Sequence, residues 1–195
     1  MTTVLLARHG ETAWNAESRF QGHADPPLNE DGRRQAREFA EQVAGEGIVA
    51  IYSSPLRRAL ETAEIVGNRL GLEVTPVDAL REIDVGEWQG LTRSEVEERY
   101  PEAFARWIGF GQGWEHGETY EQMGKRVRDA LRELAARHPG EVVLVVTHGG
   151  PVRTALAEAQ GISHEEARRR GAGAPILNCG VSRLVLEDGA LRIAA

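Results

Sequence analysis

Two histidines stand in matching surroundings. Thr3-Val-Leu-Leu-Ala7 is a short apolar run that opens into Arg8-His9-Gly10, and Glu141-Val-Val-Leu-Val-Val-Thr147 opens into His148-Gly149-Gly150. Short apolar runs of this kind read as buried strands. In open α/β sheets ligands gather outside the carboxyl ends of the strands. Both imidazoles are therefore expected in the ligand region, where the neighbouring glycines let backbone N–H groups approach a bound group closely. A third apolar run, Ile48 to Tyr52, leads into Ser53-Ser54, with Arg57 and Arg58 in the first turn of the helix that follows. A cation there opposes the helix dipole, a penalty that an anion held between the guanidinium and the helix end offsets. Two histidines, two arginines and helix N-terminal donors are the composition of a phosphate pocket.

The elements that must position these residues are legible as alternating strands and helices. A helix is expected from Asn29, with Ala36, Phe39, Ala40 and Val43 on its apolar face and Gly45 and Gly47 at its end. Ser54 suits an N-cap and Pro55 the first helical position of the next helix, whose stripe is Leu56, Ala59, Leu60 and Ala63. Glu73 to Val77 is a further candidate strand. Glu95 to Ile108 is helix-like but interrupted by Pro101, and a loop follows from Gly109 to Gly117. The next helix is expected from about Thr119 to His138, and another opens at Pro151. Pro175 to Leu186 and Leu191 to Ala194 flank Asp188-Gly189, a hairpin signal. The pattern predicts an α/β three-layer sandwich: a mainly parallel central sheet with an edge hairpin, flanked by helices.

The length of 195 residues suits a single domain. The formal net charge is −7, which gives nucleic-acid binding no bulk electrostatic support. No apolar run approaches a membrane span, and Met1 to Ala7 is too short for a signal peptide, so the expected location is cytoplasmic. Cys179 has no cysteine partner and reads as a structural thiol in a strand-like segment. No histidine pair has metal-binding spacing and no Walker-type loop is present, so neither a metal nor another cofactor is expected. His23, His116, His138 and His164 read as surface or hydrogen-bonded core residues. Arg33, Arg34, Arg37 and Arg168 to Arg170 read as solvated charges.

The chain resembles a known family over nearly its whole length. Leu6-Ala-Arg8-His9-Gly10-Glu11-Thr12 with Trp14-Asn15 resembles the signature of the histidine phosphatase superfamily, also called phosphoglycerate mutase-like. Arg19-Phe20-Gln21-Gly22 with Asp25, Pro27-Leu28 and Gly32 is similar to the family's next block. Three more blocks follow in order: Ser53 to Ala63, Leu80 to Ile83 with Gly86 to Gly90, and Val146 to Gly150. The resemblance implies that His9 is a nucleophile that becomes a phosphohistidine, and that Arg8, Arg58 and His148 clamp the phosphoryl oxygens. It implies that Glu82 is the general acid, and that Asn15, Gln21, Gly22 and Gly149 contact the phosphate or substrate. Glu11 is expected to partner an active-site arginine, and Gly117-Glu118-Thr119 resembles a substrate-side segment of the family.

The family includes phosphatases and mutases that share this core. A small helical cap insertion at about residues 91–118 leaves less room than the longer insertions of cofactor-dependent mutases. A short cap favours transfer to water, so a phosphatase acting on small phosphomonoesters is expected. The alternatives are a cofactor-dependent phosphoglycerate mutase and a catalytically inactive phosphate-binding module; the latter would have lost a nucleophile, acid or clamp residue that this chain retains. Trp107, Phe110, Trp114 and Tyr120 either line the pocket mouth or pack the cap on the core. The identity of the ester and the oligomeric state are not legible.

Overall fold

A computed structural model describes residues 1–170 and 176–194. Six strands are described: β1 (Thr2–Arg8), β2 (Ile48–Ser53), β3 (Val74–Pro76), β4 (Val142–Thr147), β5 (Val181–Glu187) and β6 (Ala190–Ile193). They form one sheet in the order β3-β2-β4-β1-β5-β6. The pairs β2–β3, β2–β4 and β1–β4 are parallel, whereas β1–β5 and β5–β6 are antiparallel. The expected hairpin turns at Asp188-Gly189, where both residues have positive φ, as such a two-residue turn requires.

The central strands are apolar on both faces because helices cover both. Val4 and Leu6 of β1 and Val143 and Val145 of β4 join one core, while Leu5, Ala7, Leu144 and Val146 join the other. This is the period-two alternation of a strand between two layers. On one side lie α2 (Glu30–Val43) and α3 (Arg57–Leu70), through Phe39, Val43, Ala59 and Val66. On the other lie α6 (Tyr120–Ala136) and α7 (Gly149–Ala159), through Met123, Val127, Leu131 and Val152. The fold is thus the expected three-layer α/β arrangement. The remaining helices are α1 (Ala13–Ala16), α4 (Arg93–Arg99), α5 (Pro101–Ile108) and α8 (His164–Arg170), with 3-10 turns at Asp78–Leu80 and Gly86–Trp88.

Several boundaries differ from expectation for local reasons. Helix α3 begins at Arg57, with Leu56 in the cap position and no side-chain cap. Ser54 does not cap it, because Leu56 is still extended (φ −64°, ψ 131°); the Ser54 hydroxyl oxygen accepts from Leu56 N–H ahead of the helix. Helix α7 starts at Gly149 rather than Pro151, directly on the end of β4. Pro101 is the first residue of α5, where its missing N–H costs nothing, so the interrupted segment becomes two helices. Cys179 lies in a turn at φ +55°, ahead of β5 and not within a strand. Pro175, where the last strand segment was expected to begin, lies outside the described residues.

Candidate active site

The parallel register aligns three strand ends. Arg8 is opposite Thr147 and Ser53 is opposite Val146, so the chain leaves β1, β4 and β2 at one level. His9 and His148 therefore emerge side by side, with ring centroids 5.1 Å apart. The His9 backbone is held on two sides: its N–H donates to Thr147 O at 2.9 Å and its carbonyl accepts from Asn178 Nδ2 at 2.9 Å. Gly10 must be glycine, since a Cβ there would stand 2.6 Å from the Gly32 carbonyl oxygen.

The His9 ring is buried, and its Nδ1–H donates to the Gly10 carbonyl at 2.6 Å. That bond assigns the ring hydrogen to Nδ1 and leaves the Nε2 lone pair available. Burial first, then Arg58 and Arg8, hold the His9 pKa well below the usual histidine value. The imidazole is therefore neutral at pH 7, the state a nitrogen nucleophile needs.

Arg58 is fully buried, yet among the described residues no carboxylate is hydrogen-bonded to it. Its Nη1 donates to Ala24 O at 2.7 Å and its Nη2 to Gly22 O at 2.9 Å. Arg8 donates from Nη1 to Ile176 O at 2.5 Å. Backbone carbonyls thus aim both guanidinium groups without cancelling their charge. Burial lowers the Arg8 pKa and brings that of Arg58 down to about 10, so both remain cations at neutral pH. His148 stands beside His9, fully buried, with its ring 5.1 Å away. Leu56 N–H donates to Ser54 Oγ at 3.3 Å, and His148 Nε2, at 2.7 Å, is the one acceptor found for that buried hydroxyl among the described residues, so the hydroxyl hydrogen is assigned to it. The imidazole hydrogen of His148 then sits on Nδ1. Among the described residues six buried side-chain nitrogens lack a hydrogen-bond partner in the protein, and three of them, His148 Nδ1, Arg8 Nε and Arg58 Nε, belong to this site. Three orphaned donors in one place would be costly unless an anion accepts from them.

Glu82 faces these groups from the loop between the two 3-10 turns. Its Oε1 accepts from Ile83 N at 2.9 Å and its Oε2 from Gly150 N at 3.3 Å. The residues expected at the phosphate are here too: Asn15, Gln21, Gly22 and Gly149 line the same cleft as Arg8, His9, Arg58 and Glu82. Thr12 N–H donates to Asn15 Oδ1 at 3.1 Å and the Thr12 hydroxyl to Gln21 Oε1 at 3.0 Å. Both amide oxygens are thereby occupied, and the NH₂ groups are left as the free donors.

The cleft has a volume of about 750 Å³. Trp107, Phe110, Trp114 and Tyr120 all line it. Trp107, Trp114 and Tyr120 also pack against the core, so the two readings of these aromatics hold together. Arg168 is not a solvated charge. It wraps back to donate to the carbonyls of Trp107, Phe110 and Gly111 at 2.8 to 3.0 Å, and its guanidinium lies over Trp107 and Tyr120. His164 is also part of the cleft, stacked on Tyr120 at 4.3 Å and bonded to the Thr154 hydroxyl at 2.8 Å. Sequence reasoning missed both, because nothing in the spacing of α8 records what it folds against. Arg153, one turn along α7 from Gly149 and Gly150, lines the cleft half-buried.

Glu11 does not partner an arginine; it accepts from Asn29 Nδ2 at 2.8 Å and so ties the loop after β1 to the start of α2. Gly117 to Thr119 do not line the cleft: Thr119 caps α6 and Glu118 pairs with Arg126. No cluster of three or more His, Cys, Asp or Glu side chains suited to a metal ion is found among the described residues.

Known proteins match the chain over most of its length. The model of the Histidine phosphatase superfamily (branch 1) matches residues 4–195. An Arabidopsis thaliana protein named metal-independent phosphoserine phosphatase is 42% identical over 158 residues, 78% of this chain and 66% of its own length. Phosphoglycerate mutase-like protein 4 from the same plant is 37% identical over 194 residues, 95% of this chain and 80% of its own. The solved mycobacterial glucosyl-3-phosphoglycerate phosphatase Rv2419c superposes with a TM-score of 0.88 at 31% identity, covering 98% of this chain and 96% of that one.

Proposed function

The chain belongs to the histidine phosphatase superfamily, and on that premise we propose that it hydrolyses small phosphomonoesters through a phosphohistidine on His9. The observation that carries this reading is the set of orphaned donors on Arg8, Arg58 and His148 beside a buried, neutral His9. Such a set matches the equatorial oxygens of a transferring phosphoryl group, where charge accumulates in the transition state.

In the first step His9 Nε2 attacks phosphorus in line and the P–O bond to the alcohol breaks. The leaving oxygen takes a proton from Glu82. The imidazole becomes cationic as the N–P bond forms, and the Gly10 carbonyl that accepts from Nδ1–H stabilises that charge. In the second step Glu82 removes a proton from water, the water oxygen bonds to phosphorus, and the N–P bond breaks to return neutral His9. Every charge change falls on this chain's own side chains, which fits a metal-independent reaction, and one relative is named as metal-independent. The cap-like segment at 91–118 and the aromatic wall form the leaving-group end in this reading. A cleft of about 750 Å³ leaves space for an alcohol of metabolite size beyond the phosphate.

The test is phosphate release from a panel of phosphomonoesters in the presence of a strong chelator, with 3-phosphoglycerate isomerisation assayed alongside. Release that persists in chelator, disappears in His9→Ala and exceeds isomerisation supports the proposal. Isomerisation that requires a bisphosphate primer, with little release, would establish a mutase instead. An active His9→Ala variant would remove the covalent mechanism altogether.

A further inference from the structure

Glu82 belongs to no helix or strand; it lies between the 3-10 turns at Asp78–Leu80 and Gly86–Trp88. A carboxyl that delivers a proton to a leaving oxygen must be held to a fraction of an ångström, and irregular backbone does not provide that by itself. Arg126 supplies the constraint. From the second turn of α6 its Nη1 donates to Ala79 O at 2.9 Å and Arg81 O at 2.7 Å, and its Nη2 donates to Glu82 O at 2.9 Å. The guanidinium is in turn aimed by Glu118, whose two carboxylate oxygens each lie 2.6 Å from it, one on Nε and one on Nη2. A fork-to-fork pair of this kind fixes orientation as well as distance. The two side chains are 23% and 16% exposed, so solvent screens the pair less than it would a surface ion pair.

Neither Arg126 nor Glu118 lines the cleft, so neither touches a substrate there. All three carbonyls gripped by Arg126 lie in the short stretch that ends at Glu82. His23 Nε2 meets the same Glu82 carbonyl at 2.8 Å from the opposite loop.

We propose that the Arg126–Glu118 pair is a positioning device for Glu82, and that it sets the efficiency of proton transfer to the leaving alcohol. The proposal rests on the reading of Glu82 as the general acid. Alkyl esters need that proton, whereas nitrophenolate departs without it, so loosening Glu82 discriminates between the two. General acid catalysis contributes about 10²- to 10⁴-fold.

The experiment measures kcat and KM for an alkyl phosphomonoester and for p-nitrophenyl phosphate in Arg126→Lys and in the milder Glu118→Gln, with thermal melts of each. The expected result is a loss of kcat/KM of about tenfold or more on the alkyl ester, with kcat/KM for p-nitrophenyl phosphate within about twofold, because kcat/KM reports the first step alone and the second, in which Glu82 is the base, is common to both esters. In a Glu82→Gln background the same substitutions should add no further loss, because they act through Glu82. Equal loss of kcat/KM on both esters, tracking the loss of melting temperature, would mean a merely structural pair and would overturn the proposal. If Glu82→Gln shows the selective loss and neither Arg126→Lys nor Glu118→Gln does, the positioning role falls while the acid role stands. If Glu82→Gln itself spares the alkyl ester, the acid assignment fails and the positioning role falls with it.

Discussion

At the scale of the residue, protonation dominates. Burial, then Arg168 and Arg153, bring the His164 pKa down to about 4 from the ordinary 6.5. A histidine whose folded pKa is depressed stays neutral in the native state while the unfolded chain takes up a proton. Its contribution to stability is therefore complete above pH 6.5 and is lost as pH falls toward 4. For His164 that contribution is about 3 kcal/mol at most. The variant His164→Gln removes the titration but keeps a polar group beside Thr154. Its melting temperature should fall less steeply than that of the wild type between pH 6.5 and pH 4, as measured by calorimetry across that range. Parallel curves would mean that His164 is not the titrating group. His9 is governed by the same sign: because its pKa lies well below the usual value, kcat/KM should not begin to fall on account of His9 until the pH is well below 6.5.

At the scale of the element, the start of α7 connects packing to chemistry. A Cβ on Gly150 would lie 2.3 Å from Glu82 Oε1 and 3.0 Å from Met123 Sδ. Gly150→Ala must therefore displace the Glu82 carboxyl, although alanine favours the helix by up to about 1 kcal/mol. Turnover of alkyl esters should drop by an order of magnitude or more, on the scale of general acid catalysis, while the melting temperature changes by only a few degrees; steady-state kinetics beside a thermal melt check both. The strand ends that carry His9 and His148 were legible because each follows an unbroken apolar run, a local signal. The start of α3 was not, since Ser54 and Pro55 look like a cap and first helical residue, yet the chain stays extended through Leu56 while the Ser54 hydroxyl also meets a histidine 94 residues away. Arg126 left a faint trace: it lies three residues from Met123 and next to Val127, at the edge of the apolar face of α6, where a solvated arginine is out of place. Arg168 left none, because its role depends on which loop α8 folds against.

For the whole molecule, the contrast is between a net charge of −7 and a cleft edged by Arg8, Arg58, Arg153 and Arg168. The positive charge is concentrated where an anion is expected, and Arg168 also fastens α8 to the end of α5. Substituting Arg168→Met keeps bulk over the aromatic wall but removes the three carbonyl contacts. Limited proteolysis should then cut faster near residues 109–117 and KM should rise severalfold, with kcat on p-nitrophenyl phosphate nearly unchanged. Unchanged proteolysis and KM would show that the cap is held by its aromatic packing alone. A further consequence follows from the sheet order. Of the six described strands the one that carries His9 is synthesised first, yet both of its neighbours, β4 and β5, come fourth and fifth. Its apolar residues must wait, unpaired, until more than a hundred others have been synthesised. Closing such long loops is slow relative to local helix formation. Nascent chains should therefore acquire helices long before they can retain phosphate, and during that interval β1 is the segment most in need of protection by a chaperone.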